Sequence, residues 1–127
     1  MKKRIKFVVE KTDSGFSAFA EDSPIFTTGK NISELQKNII EALELSSDAD
    51  NRKINTSSFE LVFDLKQFFK YYRVINSKYL AERIGMNPSL FSQYIQGKKK
   101  PSSSQTSRIL AGIHEIGKEL SSLNLSN

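Results

Sequence analysis

Ser89, Ser92, Gln93 and Gln96 stand mostly three or four residues apart in the segment PSLFSQYIQG, and Lys98, Lys99 and Lys100 follow at once. On a helix that spacing gathers two hydroxyls and two amides on one side, with Phe91, Tyr94 and Ile95 turned to the other. Hydroxyls and amides are groups that read base edges, and a glutamine amide pairs with adenine through two hydrogen bonds. The lysines cannot specify a base sequence. On phosphates they would supply affinity and salt dependence. The plain alternative is the polar surface of an ordinary helix.

The residues around this segment describe how it would be held. Asn76 or Ser77 can cap a preceding helix, leaving its first N–H groups and dipole aimed at an anion. Leu80, Ala81 and Ile84 form the apolar stripe of that helix, and the small Ala81 lets a second helix approach. Gly85 stands where a helix ends in the left-handed conformation. Met86 adds apolar bulk behind the turn, Asn87 caps the next helix, and Pro88 occupies its first position, where a missing N–H costs nothing. The spacing predicts helices over 77–84 and 88–95 joined by a tight turn, the layout that lets a second helix lie in a major groove.

Charge agrees with this placement. Residues 66–108 hold nine Lys and Arg against Glu82 alone, a local +8 within a chain of net charge +5. Residues 1–65 carry −2 and residues 109–127 carry −1. So concentrated an excess is the footprint of a polyanion-binding surface; a solvated basic face that meets an acidic protein is the rival.

Through LAERIG, the turn MN, the helix PSLFSQYIQG and the KKKPS that follows, the chain resembles the lambda-repressor and Cro class of helix-turn-helix domains, over about residues 65–120. The resemblance implies base contacts from Ser89 and Gln93, with Pro88 and Ser92 beside them. It implies phosphate contacts from Asn76, Ser77, Gln96 and the three lysines, a set to which Lys78 and Asn87 are added. Double-stranded DNA is the expected partner.

The first 65 residues have another character. Ile5, Phe7 and Val9 alternate with Lys6 and Glu10 as in a half-buried strand. Thr12-Asp13-Ser14-Gly15 supplies a turn, Phe16–Ala20 resumes as a strand, and a third short strand is expected from Ile25 to Thr28. Asn31 with Glu34 three residues on reads as a helix start, followed by Ile32, Leu35, Ile39, Ala42 and Leu43. A polar loop over 46–58 leads to a last strand in which Phe59, Leu61 and Phe63 alternate with Glu60 and Asp64. The expected fold is α+β: a β-β-β-α-β sheet module over residues 1–64, then an all-α helix-turn-helix unit over 65–127. With Gly15-Phe16, FSAFAEDSP and TGKNISELQKNIIEAL, the first unit resembles the HicB family, antitoxins with a partial ribonuclease-H-like module. That resemblance implies a protein-binding surface, one that would mask a small HicA-like ribonuclease toxin.

Catalysis finds less support. Glu10, Glu21, Asp22, Glu60 and Asp64 are the carboxylates a metal-dependent nuclease would need to converge, and nothing in their spacing unites them. His114, the single histidine, has no partner suggesting a base or ligand and is expected to be structural. There is no cysteine, which excludes disulfides and thiolate chemistry. No enzyme activity and no cofactor are expected. No apolar run reaches the roughly 18 residues of a membrane span, and the apolar stretch in MKKRIKFVVEK is too short and too charged for a signal peptide. A bacterial cytoplasmic location is the expectation.

Ile109, Ile113, Ile116, Leu120 and Leu123 recur at intervals of four, three, four and three, a two-heptad seam for a second subunit. Leu110 would then face the core, and a homodimer would present two reading helices roughly 34 Å apart. The alternatives are that this stripe closes the core of its own unit, and that an edge of the sheet dimerises.

Overall fold

The computed structural model describes residues 4–46 and 53–126, so most of the central polar loop lies outside the described residues. The chain is α+β, with four strands and five helices among the described residues, and divides into two compact units, Met1–Gln67 and Phe68–Asn127.

In the first unit β1 (Ile5–Thr12), β2 (Gly15–Ala20), β3 (Phe26–Gly29) and β4 (Phe59–Val62) form one sheet in the order β3-β2-β1-β4. β1 pairs antiparallel with β2, β2 antiparallel with β3, and β1 parallel with β4. A parallel partner for β1 demands a crossover, which α1 (Ile32–Leu45) provides. Asn31 Oδ1 accepts from the Glu34 N–H at 2.8 Å and starts that helix.

Strand alternation sorts the side chains. Phe7, Val9, Phe16, Ala18, Ala20 and Phe59 are buried with Leu35, Ile39 and Leu43 of α1. Phe7 and Phe59 meet edge to face at 6.0 Å, and Phe16 meets Phe63 at 6.1 Å. Burying each such ring contributes about 1.5–3 kcal/mol. Gly15 has a φ of +156°, and a Cβ there would lie 2.2 Å from the Gly29 carbonyl oxygen. No side chain fits, so the hairpin β1–β2 and the β2–β3 pairing both depend on this glycine.

The division falls three residues later than the expected boundary, inside α2 (Leu65–Tyr71). The reason is polar: Gln67 donates its N–H to Asp64 Oδ1 at 2.7 Å, and its Oε1 accepts from the Lys11 N–H at 2.9 Å. These bonds tie the first residues of α2 to the sheet. Asp64 is therefore a helix-starting acceptor, and Glu60 pairs with Arg4 at 3.6 Å. Among the described residues no three His, Asp or Glu converge as metal ligands.

The second unit holds α3 (Ser77–Ile84), α4 (Pro88–Ile95) and α5 (Ser103–Ser121) around Phe69, Leu80, Ala81, Met86, Phe91, Tyr94 and Ile109. Phe69 and Phe91 stack edge to face at 5.5 Å. Tyr72 sits against Phe68 and Tyr71, and burial, then the neighbouring Tyr71, pushes its hydroxyl above the ordinary tyrosine pKa.

The expected dimer seam is corrected in two places. Ile109 is 1% exposed and belongs to the core of its own unit, whereas Leu110, expected inside, is 49% exposed. The cause is Gly112, next along the same face: a Cβ there would lie 2.4 Å from Ile84 Cγ2, so its absence lets α3 close onto this side of α5. Leu123 lies beyond the helix end at Ser121 and cannot continue a helical seam. Ile113 and Ile116 are half-buried, and Leu120 is exposed. A 19-residue helix is about 28 Å long against about 12 Å for the eight-residue α3, so its later turns outrun that neighbour. His114 is also corrected: it is exposed and packs no core. Among the described residues no helix is long and apolar enough to cross a membrane.

Candidate nucleic-acid interface

Each helix of the α3–α4 pair starts on an asparagine. Asn76 Oδ1 accepts from the Tyr79 N–H at 3.1 Å, and Asn87 Oδ1 accepts from the N–H groups of Ser89 and Leu90 at 2.8 and 3.1 Å. Both residues named as phosphate contacts thus have their side-chain oxygens occupied as caps. What each asparagine supplies is an ordered helix N-terminus, the end at which N–H groups and dipole favour negative charge.

Between the helices Gly85 adopts φ 72°, ψ 31°, the left-handed end that the turn requires. Its N–H donates to the Glu82 carbonyl, and the Met86 N–H donates to the Ala81 carbonyl at 2.8 Å. Met86 is buried beneath the turn. Arg108 completes this corner from α5: its Nη2 donates to the carbonyl oxygens of Ile84 at 2.7 Å and Gly85 at 2.8 Å. A cation on these last carbonyls answers the negative end of the α3 dipole. The sequence counted Arg108 only as one basic charge. Its role depends on a partner 24 residues away, so no local pattern announces it.

With Phe91 and Tyr94 buried, Pro88, Ser89, Ser92, Gln93 and Gln96 are exposed. Ser77, Lys78, Pro88, Ser89, Phe91 and Ser92 line one groove of about 410 Å³. The groove joins the N-terminal turns of α3 and α4, where the helix dipoles favour negative charge and Lys78 adds a full one of the opposite sign. Gln96 lies outside it, and its Nε2 donates to Ser92 Oγ at 3.1 Å. This bond runs along α4 and orients the Ser92 hydroxyl.

Lys98, Lys99 and Lys100 are exposed at the opposite end of α4. The N–H groups of Lys98 and Lys99 both donate to the Gln93 carbonyl, at 2.9 and 3.2 Å. The lysine run is thereby anchored to the helix that carries the polar face. Not every cation of the basic block is available in this way. Arg83 Nη2 contacts Glu115 at 3.4 Å and, more closely, Glu119, both on α5. Tyr79, to which the sequence reading gave no role, is largely exposed on α3. No family model, no curated protein and no solved structure matches the chain.

Proposed function

We propose that the chain is a sequence-specific DNA-binding repressor of the bacterial cytoplasm, acting as a homodimer, with α4 in the major groove. Ser89, Ser92 and Gln93 would read bases beside Pro88. Ser77, Lys78, the helix ends capped by Asn76 and Asn87, and Lys98–Lys100 would hold phosphates, with Gln96 at the rim. One observation carries the reading: an exposed face of hydroxyls and amides on one helix, bounded by a helix-terminal groove at one end and three exposed lysines at the other.

By its resemblance to HicB antitoxins, the sheet unit would bind a small ribonuclease toxin, and the repressor would regulate its own operon. Gel-shift titration against the DNA upstream of its own gene is the test. The wild-type protein should select one site over point-mutated copies, and Gln93→Ala should relax that choice at one or two base pairs. Discrimination unchanged by Gln93→Ala would remove Gln93 from the reading. Binding that is weak and blind to sequence would overturn the repressor itself.

A further inference from the structure

A sheet covered on one face by a helix ordinarily turns polar side chains to water on the other. Here the strand registers place Phe26 opposite Phe19, Phe19 opposite Val8, and Val8 opposite Val62. Partners in register share a face, so one apolar row crosses all four strands on the side away from the buried core. Phe26 is 65% exposed, Phe19 40% and Val62 38%, and Val8 is half-buried. The row spans about 15–19 Å at the usual strand spacing.

The charges beside the row show what it is made to meet. On β1, Lys6 precedes Val8 by two residues and Glu10 follows it by two, both exposed on this same face. Glu60 lies level with Lys6, the Glu21 N–H just past β2 donates to the Lys6 carbonyl at 3.1 Å, and Ser17 and Thr28 lie level with Glu10. Arg4 screens Glu60 at 3.6 Å. Consider a copy of this face turned over it about a two-fold axis that crosses the strands through the row. The strands then run in opposite directions, each apolar residue meets its own equivalent, and Lys6 comes over the partner's Glu10 while Glu10 comes over the partner's Lys6. A two-fold axis along β1 would instead set Lys6 against Lys6 and Glu10 against Glu10, and one along the strands between β1 and β2 would set Glu10 over Ser17, so only the crossing axis pairs Glu10 with a cation.

We propose that this open sheet face is a self-association surface whose occupant is the same face of a second copy, packed strand against reversed strand. Sheets pack in this way about 10 Å apart with their inner side chains interdigitated. Four strands of this length offer a patch well below the roughly 800 Å² per partner of a standard interface, so the dimer it makes is concentration-dependent. The inference does not rest on DNA binding, and a failed gel shift leaves it standing.

Sedimentation velocity of the full chain over a range of concentrations tests it, with circular dichroism to check that each variant stays folded. Wild-type protein should self-associate reversibly. Lys6→Glu alone and Glu10→Lys alone should each weaken association roughly tenfold, because symmetry repeats every lost pair twice. The double variant Lys6→Glu with Glu10→Lys should restore it, and Phe19→Ser with Phe26→Ser should abolish it. Monomer at all concentrations overturns the proposal. So does a dimer indifferent to the phenylalanines, as pairing by a sheet edge would be, or one broken only by Leu120→Asp on α5. Charge swaps that weaken singly and fail to rescue together overturn it as well.

Discussion

The contact of α5 with α3 fixes the corner from which α4 projects, and two glycines on α5 test it by opposite responses to one substitution. A Cβ at Gly112 would lie 2.4 Å from Ile84 Cγ2 and 3.5 Å from Leu80 Cδ1, whereas a Cβ at Gly117 would meet nothing within 4 Å. Ile84 is β-branched and helical, so it holds essentially one χ1 rotamer and cannot swing its methyl aside cheaply. Gly→Ala in a helix interior gains about 1 kcal/mol. At Gly117 that gain stands alone. At Gly112 it is opposed by an overpacking cost of about 1–3 kcal/mol. The difference between the two variants cancels helix propensity and reads the packing cost by itself. In thermal melts it amounts to roughly 4–8 °C per kcal/mol for a unit of this size. Gly112→Ala should therefore melt below wild type or level with it, and Gly117→Ala above it. Adding Ile84→Ala to Gly112→Ala should cost less than the sum of the two changes, because the clashing methyl is gone. Equal stabilisation by both alanines would refute the packing of α5 on α3 and, with it, the assignment of Ile109 to the core.

Replacing Lys98, Lys99 and Lys100 by Ala should weaken binding to all DNA sequences alike and flatten the salt dependence. Each phosphate contact contributes about 0.9 to the slope of log K on log salt, so three contacts change the loss between 50 and 200 mM salt by about 40-fold. An unaltered slope, measured by fluorescence anisotropy, would take the lysines off the phosphates. Tyr72 predicts an alkaline loss of stability. Its folded pKa lies above the ordinary 10.0, so as pH rises through the unfolded value the unfolded chain releases this proton first and stability falls until the folded form ionises too. Below the unfolded pKa the contribution is fully present. Urea melts at successive alkaline pH values should show a shallower decline for Tyr72→Phe than for wild type, and identical declines would dismiss this tyrosine as a source.

Much of the fold was legible because its signals are local. Asn31, Asn76 and Asn87 start helices where their side chains demand it. Gly85 ends α3 where only a left-handed residue serves, and the alternation in β1 and β2 matches their buried side. The hydroxyl and amide face of α4 was readable for the same reason: periodicity in eight residues decides what is exposed. What failed was non-local. The stripe from Ile109 to Leu123 has the spacing of a dimer seam, yet which part of α5 is covered depends on where α3 packs, and Gly112 sets that contact against Ile84 and Leu80. The missing side chain at Gly112 carries no periodic signal. Arg108 was hidden likewise, since its partners are backbone carbonyls. The row Phe26, Phe19, Val8 and Val62 is invisible along the chain. Each residue stands alone in its own strand, and the row exists only once three registers are known.

The basic block gains a different meaning when its charges are followed to their partners. Arg83 is held by Glu115 and Glu119, and Arg108 by the carbonyls at the end of α3. Both therefore stabilise the corner between α3, α4 and α5, and part of the positive excess is structural. The acidic residues that followed the block in sequence neutralise part of it across α3 and α5. Of the cations that remain, Lys66, Lys70 and Arg73 are exposed on α2 and just after it, whereas Lys78 in the groove and Lys98–Lys100 beyond α4 lie on either side of the polar face, and the proposed polyanion surface centres on these four. These lysines and that face are mechanically joined, because the Gln93 carbonyl accepts from the backbone N–H groups of Lys98 and Lys99. In the proposed interface the side chain of Gln93 would read a base while its carbonyl sets where the phosphate-binding lysines begin. Register between base contact and backbone contact would then be built into one residue. A shift of α4 along the groove would move both together, so a site read out of register would lose the phosphate contacts as well as the base pair.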